Sequence, residues 1–232
     1  MSAAAMQPVV DGDILPEQPV DAISHGSADG VTILAGSNLE EGKLFPIMDP
    51  ALAKIDEAGL VQRLARFFPA EKVPGLIEAY RSTLTRRGVV VKAIDIQQAI
   101  QGDQLFRTPV VRTVEAQCRR NQSAYNYLFT WQSAVPALGA CHGLDVGFVF
   151  GALIKEFHGS GSAAERLAGN MQDAWLAFAH TGNPSCESLG EWPQYGSRRL
   201  TMMLGESSHV EEAPFDAERR AWDSIPTESL GG

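Results

Sequence analysis

Three groups of residues in this chain have types and spacing suited to proton-transfer chemistry: one histidine between glycines, two adjacent glutamates, and one aspartate close to the histidine. His142 stands in Gly139-Ala140-Cys141-His142-Gly143, where little side-chain bulk flanks the ring and another group can approach it. Imidazole is suited to moving protons because it ordinarily titrates near neutrality, at roughly 6.5. From position alone, a loop histidine bonded to a backbone carbonyl is the simpler reading. Glu40 and Glu41 follow the apolar run Val31-Thr32-Ile33-Leu34-Ala35-Gly36. Composition by itself makes them a solvated pair, and chemistry would make one of them the carboxylate that orients an imidazole. Asp145 is a second candidate acid, although a residue three along the same chain usually faces elsewhere. A nucleophile is harder to find. No Gly-x-Ser-x-Gly, the strained strand-to-helix turn that exposes a catalytic serine, occurs in the sequence. The nearest approach is Gly205-Glu206-Ser207-Ser208-His209, with His where the second glycine belongs. Ser207 is therefore set aside.

The elements that must position these groups follow from periodicity. Val31 to Ala35 is apolar without interruption, which suits a strand of a parallel sheet buried on both faces. Ala124 to Trp131 is a second, aromatic-rich strand, and the segment after Pro136 is a loop leaving its C-terminal end. Functional groups of open α/β sheets collect at such ends, so both loops reach one rim. Between them, Leu52, Ile55, Leu60, Leu64 and Phe67-Phe68 recur at helical spacing until Pro69, and helices are expected over Gly75 to Arg86 and Val91 to Ile100. A helix starting at Pro109 places Val110, Val114 and Cys118 on one face. Further on, Phe157 to Ser162 is expected as a flexible loop, Ser162 as the cap of a helix over Ala163 to His180 ended by Gly182 and Pro184, and Arg199 to Leu204 as a strand near the sheet edge. Met1 to Gln7 suits a helix end or a disordered lead-in.

Composition narrows the class of function. The 232 residues, 44% hydrophobic, suffice for one sizeable core, and 19 basic against 28 acidic residues leave a net charge of −9. An acidic chain without a basic cluster argues against nucleic acid and against an anionic membrane surface. No apolar run is long enough to span a bilayer, and no basic-then-apolar leader opens the sequence, so the expected compartment is cytoplasmic. Cys118, Cys141 and Cys186 are odd in number and widely spaced, which reads as free thiols. No metal-ligand spacing appears, and Gly159-x-Gly161 lacks the third glycine of a dinucleotide fingerprint, so neither metal nor cofactor is expected.

Gly139-Ala140-Cys141-His142-Gly143 followed by Phe148-Val149-Phe150-Gly151 resembles the histidine motif of type-B carboxylesterases. Pro8-Val9-Val10-Asp11-Gly12-Asp13, then Leu34 to Gly42 and Phe45, resemble that family's segment carrying the triad acid. Trp175 to Pro184 and Glu191-Trp192-Pro193-Gln194-Tyr195 resemble its C-terminal helix and the turn after it. The Ala-Cys-His form resembles the bacterial, para-nitrobenzyl-esterase-like branch more than the animal cholinesterases. The resemblance implies an α/β-hydrolase fold, of which this chain would be the C-terminal half of a mostly parallel sheet with an inserted helical region. It divides the chain into a sheet segment with the acid (1–50), a helical insertion over the active-site gorge (51–104) and a segment carrying the histidine (105–232). It singles out Glu41 as the acid and His142 as the base of a Ser-Glu-His triad. The nucleophile and oxyanion hole would come from a missing N-terminal half, and the substrate would be a hydrophobic carboxylic ester. The alternative is a catalytically inactive truncation product or a non-enzymatic binding module of the same fold.

Overall fold

A computed structural model of the chain describes residues 9–225. The expected lead-in at Met1 to Gln7 lies outside them. The elements run α1 (Pro19–Ser24), β1 (Ile33–Asn38), α2 (Phe45–Met48), α3 (Glu57–Leu64), α4 (Val73–Arg86), α5 (Ala93–Gly102), α6 (Thr108–Arg119), β2 (Ala124–Phe129), α7 (Leu144–Val149), α8 (Lys155–His158), α9 (Ser162–Thr181), β3 (Leu200–Leu204), β4 (His209–Glu212) and α10 (Asp216–Ala221). The sheet order is β1-β2-β3-β4, with β1, β2 and β3 parallel and β4 antiparallel to β3.

Alternation along β2 shows how the sheet is covered. Side chains of a strand point to opposite faces in turn. Tyr125, Tyr127 and Phe129 join the cluster formed with Leu144 and Phe148 of α7 and Leu167 and Met171 of α9. Ala124 faces the other way, onto Val114 of α6. The helices after β1 have a core of their own, in which Leu60, Leu64, Leu76, Tyr80, Ile96 and Ile100 pack with Trp222 and Ile225 from the C-terminal end. The helical region is thus closed by residues far along the chain.

Between α5 and α6 the helix does not stop but passes through one π-turn, Asp103–Arg107. Such a turn takes more residues than an α-turn, so the faces after it are rotated against those before it. One helical run can then serve two cores: Ile96 and Ile100 of α5 face the helical cluster, while Val114 of α6 faces the sheet.

Several expectations are corrected. β1 begins at Ile33, and its first four residues are only partly buried; among the described residues β1 has a paired strand on one side alone. The strand at Leu200–Leu204 does lie near the sheet edge, as expected, but the edge itself is β4, whose short, charged sequence His209-Val210-Glu211-Glu212 lacks an apolar pattern. Phe157 and His158 are no flexible loop. They end α8, and His158 is buried with its Nδ1 accepting the Ile154 N–H at 2.8 Å. Ser162 is the first residue of α9 rather than its cap; Gly161 takes the N-cap position without a side-chain bond. Gly182 ends that helix in the left-handed conformation (φ 74°), as its position predicts.

Candidate active site

The site is built where β1 and β2 end side by side. The ladder of this parallel pair runs to Asn38 opposite Phe129, and Leu39 N–H still donates to Phe129 O at 2.9 Å. The two chains then part into the acid loop and the histidine loop, which are tied back together at once. Glu40 N–H donates to Ala140 O at 2.9 Å, and the Glu40 carboxylate accepts Ala140 N–H at 2.9 Å. Gly139 lies where this happens with φ of 54°, and a Cβ there would strike the Glu40 carboxylate. Gly42, just after the acid pair, lies against the Gln98 carbonyl of α5, another place with no room for a Cβ.

Glu41 and His142 meet across this junction. His142 Nδ1 donates to Glu41 Oε2 at 2.8 Å, while Glu41 Oε1 accepts Asn38 N–H at 2.6 Å. The donation places the ring proton on Nδ1 and leaves Nε2 as the basic nitrogen. Glu41 is buried at 6% exposure, whereas the His142 side chain is 51% exposed, so the pair has a fixed inner end and an open outer one. Phe106 of the π-turn stacks on the imidazole, with centroids 4.4 Å apart and planes at 29°.

The two glutamates, adjacent in sequence, are held in opposite ways. For Glu41, burial raises the carboxyl above its usual range, only partly offset by Asn38 N–H and by His142, and the nearby Asp145 carboxylate pushes it further up. For Glu40, burial acts in the same direction, but the Lys43 ammonium at 2.7 Å and Ala140 N–H outweigh it and hold the carboxyl below the usual range. Glu41 is the strained acid that faces the imidazole, and Glu40 is the satisfied one that staples the loops.

Asp145 is close to the pair but does not touch the ring. Its carboxylate accepts from Asn38 Nδ2 at 3.2 Å and from the Tyr127 hydroxyl at 3.1 Å. Asn38 Nδ2 also donates to Cys141 O at 2.7 Å, so one amide links the acid strand to the histidine loop. Burial, then Asp145, raises the Tyr127 phenol well above its usual range and keeps it a donor. Cys141 is buried, and burial pushes its thiol up to about 11, which makes it an inert neighbour. All three cysteines are free. Ser207 lies exposed in the β3–β4 turn, with no described contact to His142. Among the described residues no cluster of His, Cys, Asp and Glu is arranged to hold a metal, and no helix is long and apolar enough to cross a membrane.

The stapling role of Glu40, the amide of Asn38 and the stacked Phe106 were not evident in the sequence. The first two lie within three residues of Glu41, which was their only signal, and nothing in the spacing of Phe106 pointed to the ring.

A mostly parallel sheet that delivers a carboxylate and an imidazole from the ends of neighbouring strands has the architecture of an α/β-hydrolase. Solved structures of that class agree: the Geobacillus stearothermophilus carboxylesterase EST55 superposes with a TM-score of 0.81 at 33% identity, covering 93% of this chain and 45% of that one. A para-nitrobenzyl esterase structure does so with a TM-score of 0.74 at 28% identity. The chain belongs to the carboxylesterase family, whose model matches residues 2–222. Among curated relatives it is 32% identical to para-nitrobenzyl esterase of Bacillus subtilis (strain 168), over 92% of this chain and 42% of the relative. It is 28% identical to acetylcholinesterase of Bungarus fasciatus, over 81% of this chain and 33% of the relative. The chain therefore spans less than half the length of the relatives it matches.

Proposed function

We propose that this chain supplies the base and the orienting acid of a serine ester hydrolase acting on hydrophobic carboxylic esters, as the C-terminal portion of the catalytic unit. The observation that carries this reading is the 2.8 Å bond between Glu41 and His142 Nδ1, with about half of the His142 side chain exposed. A serine on polypeptide outside residues 1–232 approaches Nε2. His142 takes the hydroxyl proton as the oxygen attacks the ester carbonyl, and passes it to the departing alcohol. A water deprotonated by the same nitrogen then releases the acid from the acyl-enzyme. Glu41 keeps the ring in this tautomer and stabilises the imidazolium formed in each step. The helices within 51–104 line the approach of the ester, a role supported by the packing of α5 against the acid loop.

Mixing tests this. Alone, the chain is expected to hydrolyse a para-nitrophenyl ester no faster than its His142→Ala variant. Adding the serine-bearing N-terminal portion of the Bacillus subtilis para-nitrobenzyl esterase, or of another family member, is expected to produce hydrolysis that His142→Ala removes. Hydrolysis that survives His142→Ala, or a serine-directed phosphonate that labels Ser207 in the isolated chain, would overturn the assignment. A stable complex without hydrolysis would favour a silent binding module.

A further inference from the structure

We infer that Phe106 is a positioning residue for His142, and that the π-turn Asp103–Arg107 exists to hold it there. The inference rests on His142 being the base but is read from the ring's behaviour in this chain alone, so it is decided whether or not ester hydrolysis is ever restored. A single hydrogen bond from Nδ1 leaves an imidazole free to swing about that bond, and half of this side chain is exposed. The stacked Phe106 ring supplies the missing constraint by fixing the plane of the imidazole, and so the direction in which Nε2 points.

What fixes Phe106 lies further in. On one side of it, α5 ends at Gly102 against Gly42 and Glu41, so the same turn touches both the acid and the base. On the other side, Asp103 accepts from the Tyr80 hydroxyl and pairs with Arg107, and Trp222 Nε1 donates to that hydroxyl at 2.7 Å. The Arg107 guanidinium lies over the Phe215 ring at 4.9 Å. A π-turn is a rare interruption of a helix and is found most often at functional sites. Here each end of the turn is anchored by a buried group, and its middle carries the one aromatic ring in described contact with the imidazole. The other charged groups around the ring are Glu41 and Glu40 with Lys43 on the acid loop and Asp145 on α7. Of these, only Glu41 bonds to it.

Histidine-labelled chain read by NMR tests the inference. In the unaltered chain, cross-relaxation between the Phe106 and His142 ring protons is expected, with the His142 ring signals moved upfield of those of exposed His180. A far-downfield Nδ1 proton should report the bond to Glu41. Phe106→Leu is expected to return the ring signals toward those of His180 and to broaden the Nδ1 proton beyond detection, with the melting curve little changed. Phe106→Tyr should restore both. Where Phe106→Leu does not fold, the cross-relaxation and upfield shift of the unaltered chain decide. Absence of either, or an Nδ1 proton as sharp in Phe106→Leu as in the unaltered chain, would overturn the inference. Should hydrolysis be restored by a serine-bearing half, the Leu variant is expected to lose kcat by up to about 10²-fold, the penalty for a catalytic group displaced by about 1 Å, with KM unchanged.

Discussion

The molecule holds two pairs of carboxylate and nitrogen base, Asp103 with Arg107 and Glu41 with His142, and they differ in what surrounds the nitrogen. Asp103 and Arg107 are both mostly buried; the carboxylate has the Tyr80 hydroxyl as a further donor and the guanidinium has an aromatic ring beneath it. Burial works against the Arg107 charge, but the neighbouring Asp103 carboxylate outweighs it and raises the pKa of the guanidinium. In the second pair only the carboxylate is enclosed. Burial works against its charge, and the imidazole leaves one nitrogen facing outward. The first pair holds helices in place. The second keeps free what the first has used up, and that difference separates a structural ion pair from one that can do chemistry.

Exchanging each acid for its amide breaks the comparison most sharply. In a catalytically competent complex with a serine-bearing half, Glu41→Gln is expected to lower kcat by about 10⁴-fold, because an amide facing Nδ1 favours the wrong tautomer. Steady-state hydrolysis of a para-nitrophenyl ester measures this, and KM should stay close to the parent value. Asp103→Asn is expected to act on stability instead. Leaving the Arg107 charge buried without its partner should cost about 3 to 5 kcal/mol, read from the urea midpoint at unchanged m-value.

A finer test uses the opposite shifts of the neighbouring glutamates. Glu40 is held below its ordinary value, so its ionised form stabilises the fold above the ordinary glutamate range, and that contribution is lost as pH falls through the lowered value. Glu41 is raised, so stability falls as pH rises from the ordinary range through the raised value, and at neutral pH its charge is a burden. At pH 7, Glu40→Gln should therefore melt below the parent and Glu41→Gln above it. On acidification the Glu41→Gln difference should shrink as pH falls from the raised value to the ordinary one, and the Glu40→Gln difference only below the ordinary value of about 4.3. Melting curves recorded from pH 3 to 7 give the signs. A Glu41→Gln variant that melts lower at pH 7 would remove the distinction between an enclosed, strained acid and a satisfied one.

What the sequence revealed divides along physical lines. The strands that carry the site, the helices after β1 and the cap at Gly182 rest on short-range patterns of apolar spacing and of Gly and Pro, and they appear where those patterns place them. Glu41 and His142 were distinguished from their neighbours by motif resemblance, since composition left Glu40 and Glu41 equivalent. Missed were features set by contacts distant in sequence. β4 is charged because it is an edge and has no alternation to recognise, and His158 is enclosed by Phe148 and Phe157 only once α7 and α8 fold back. The π-turn has no residue signature either. The sequence patterns end one helix at Ile100 and begin another at Pro109, with Asp103 to Arg107 in neither, whereas one helical run continues through the wider turn.

The two borders of the sheet have unequal consequences for assembly. At β4, the exposed Glu211, Glu212 and His209 place like charges and a short run of backbone where another strand would have to add, which discourages growth on that side. At β1, no strand occupies the outer side among the described residues, and Ile33-Leu34-Ala35-Gly36-Ser37-Asn38 contains neither charge nor proline to refuse one. A sheet open at one border and guarded at the other cannot propagate. Two copies joined through β1 about a two-fold axis would present only β4 on either outside, so self-association through the sheet ends at a pair and cannot lengthen into a fibre.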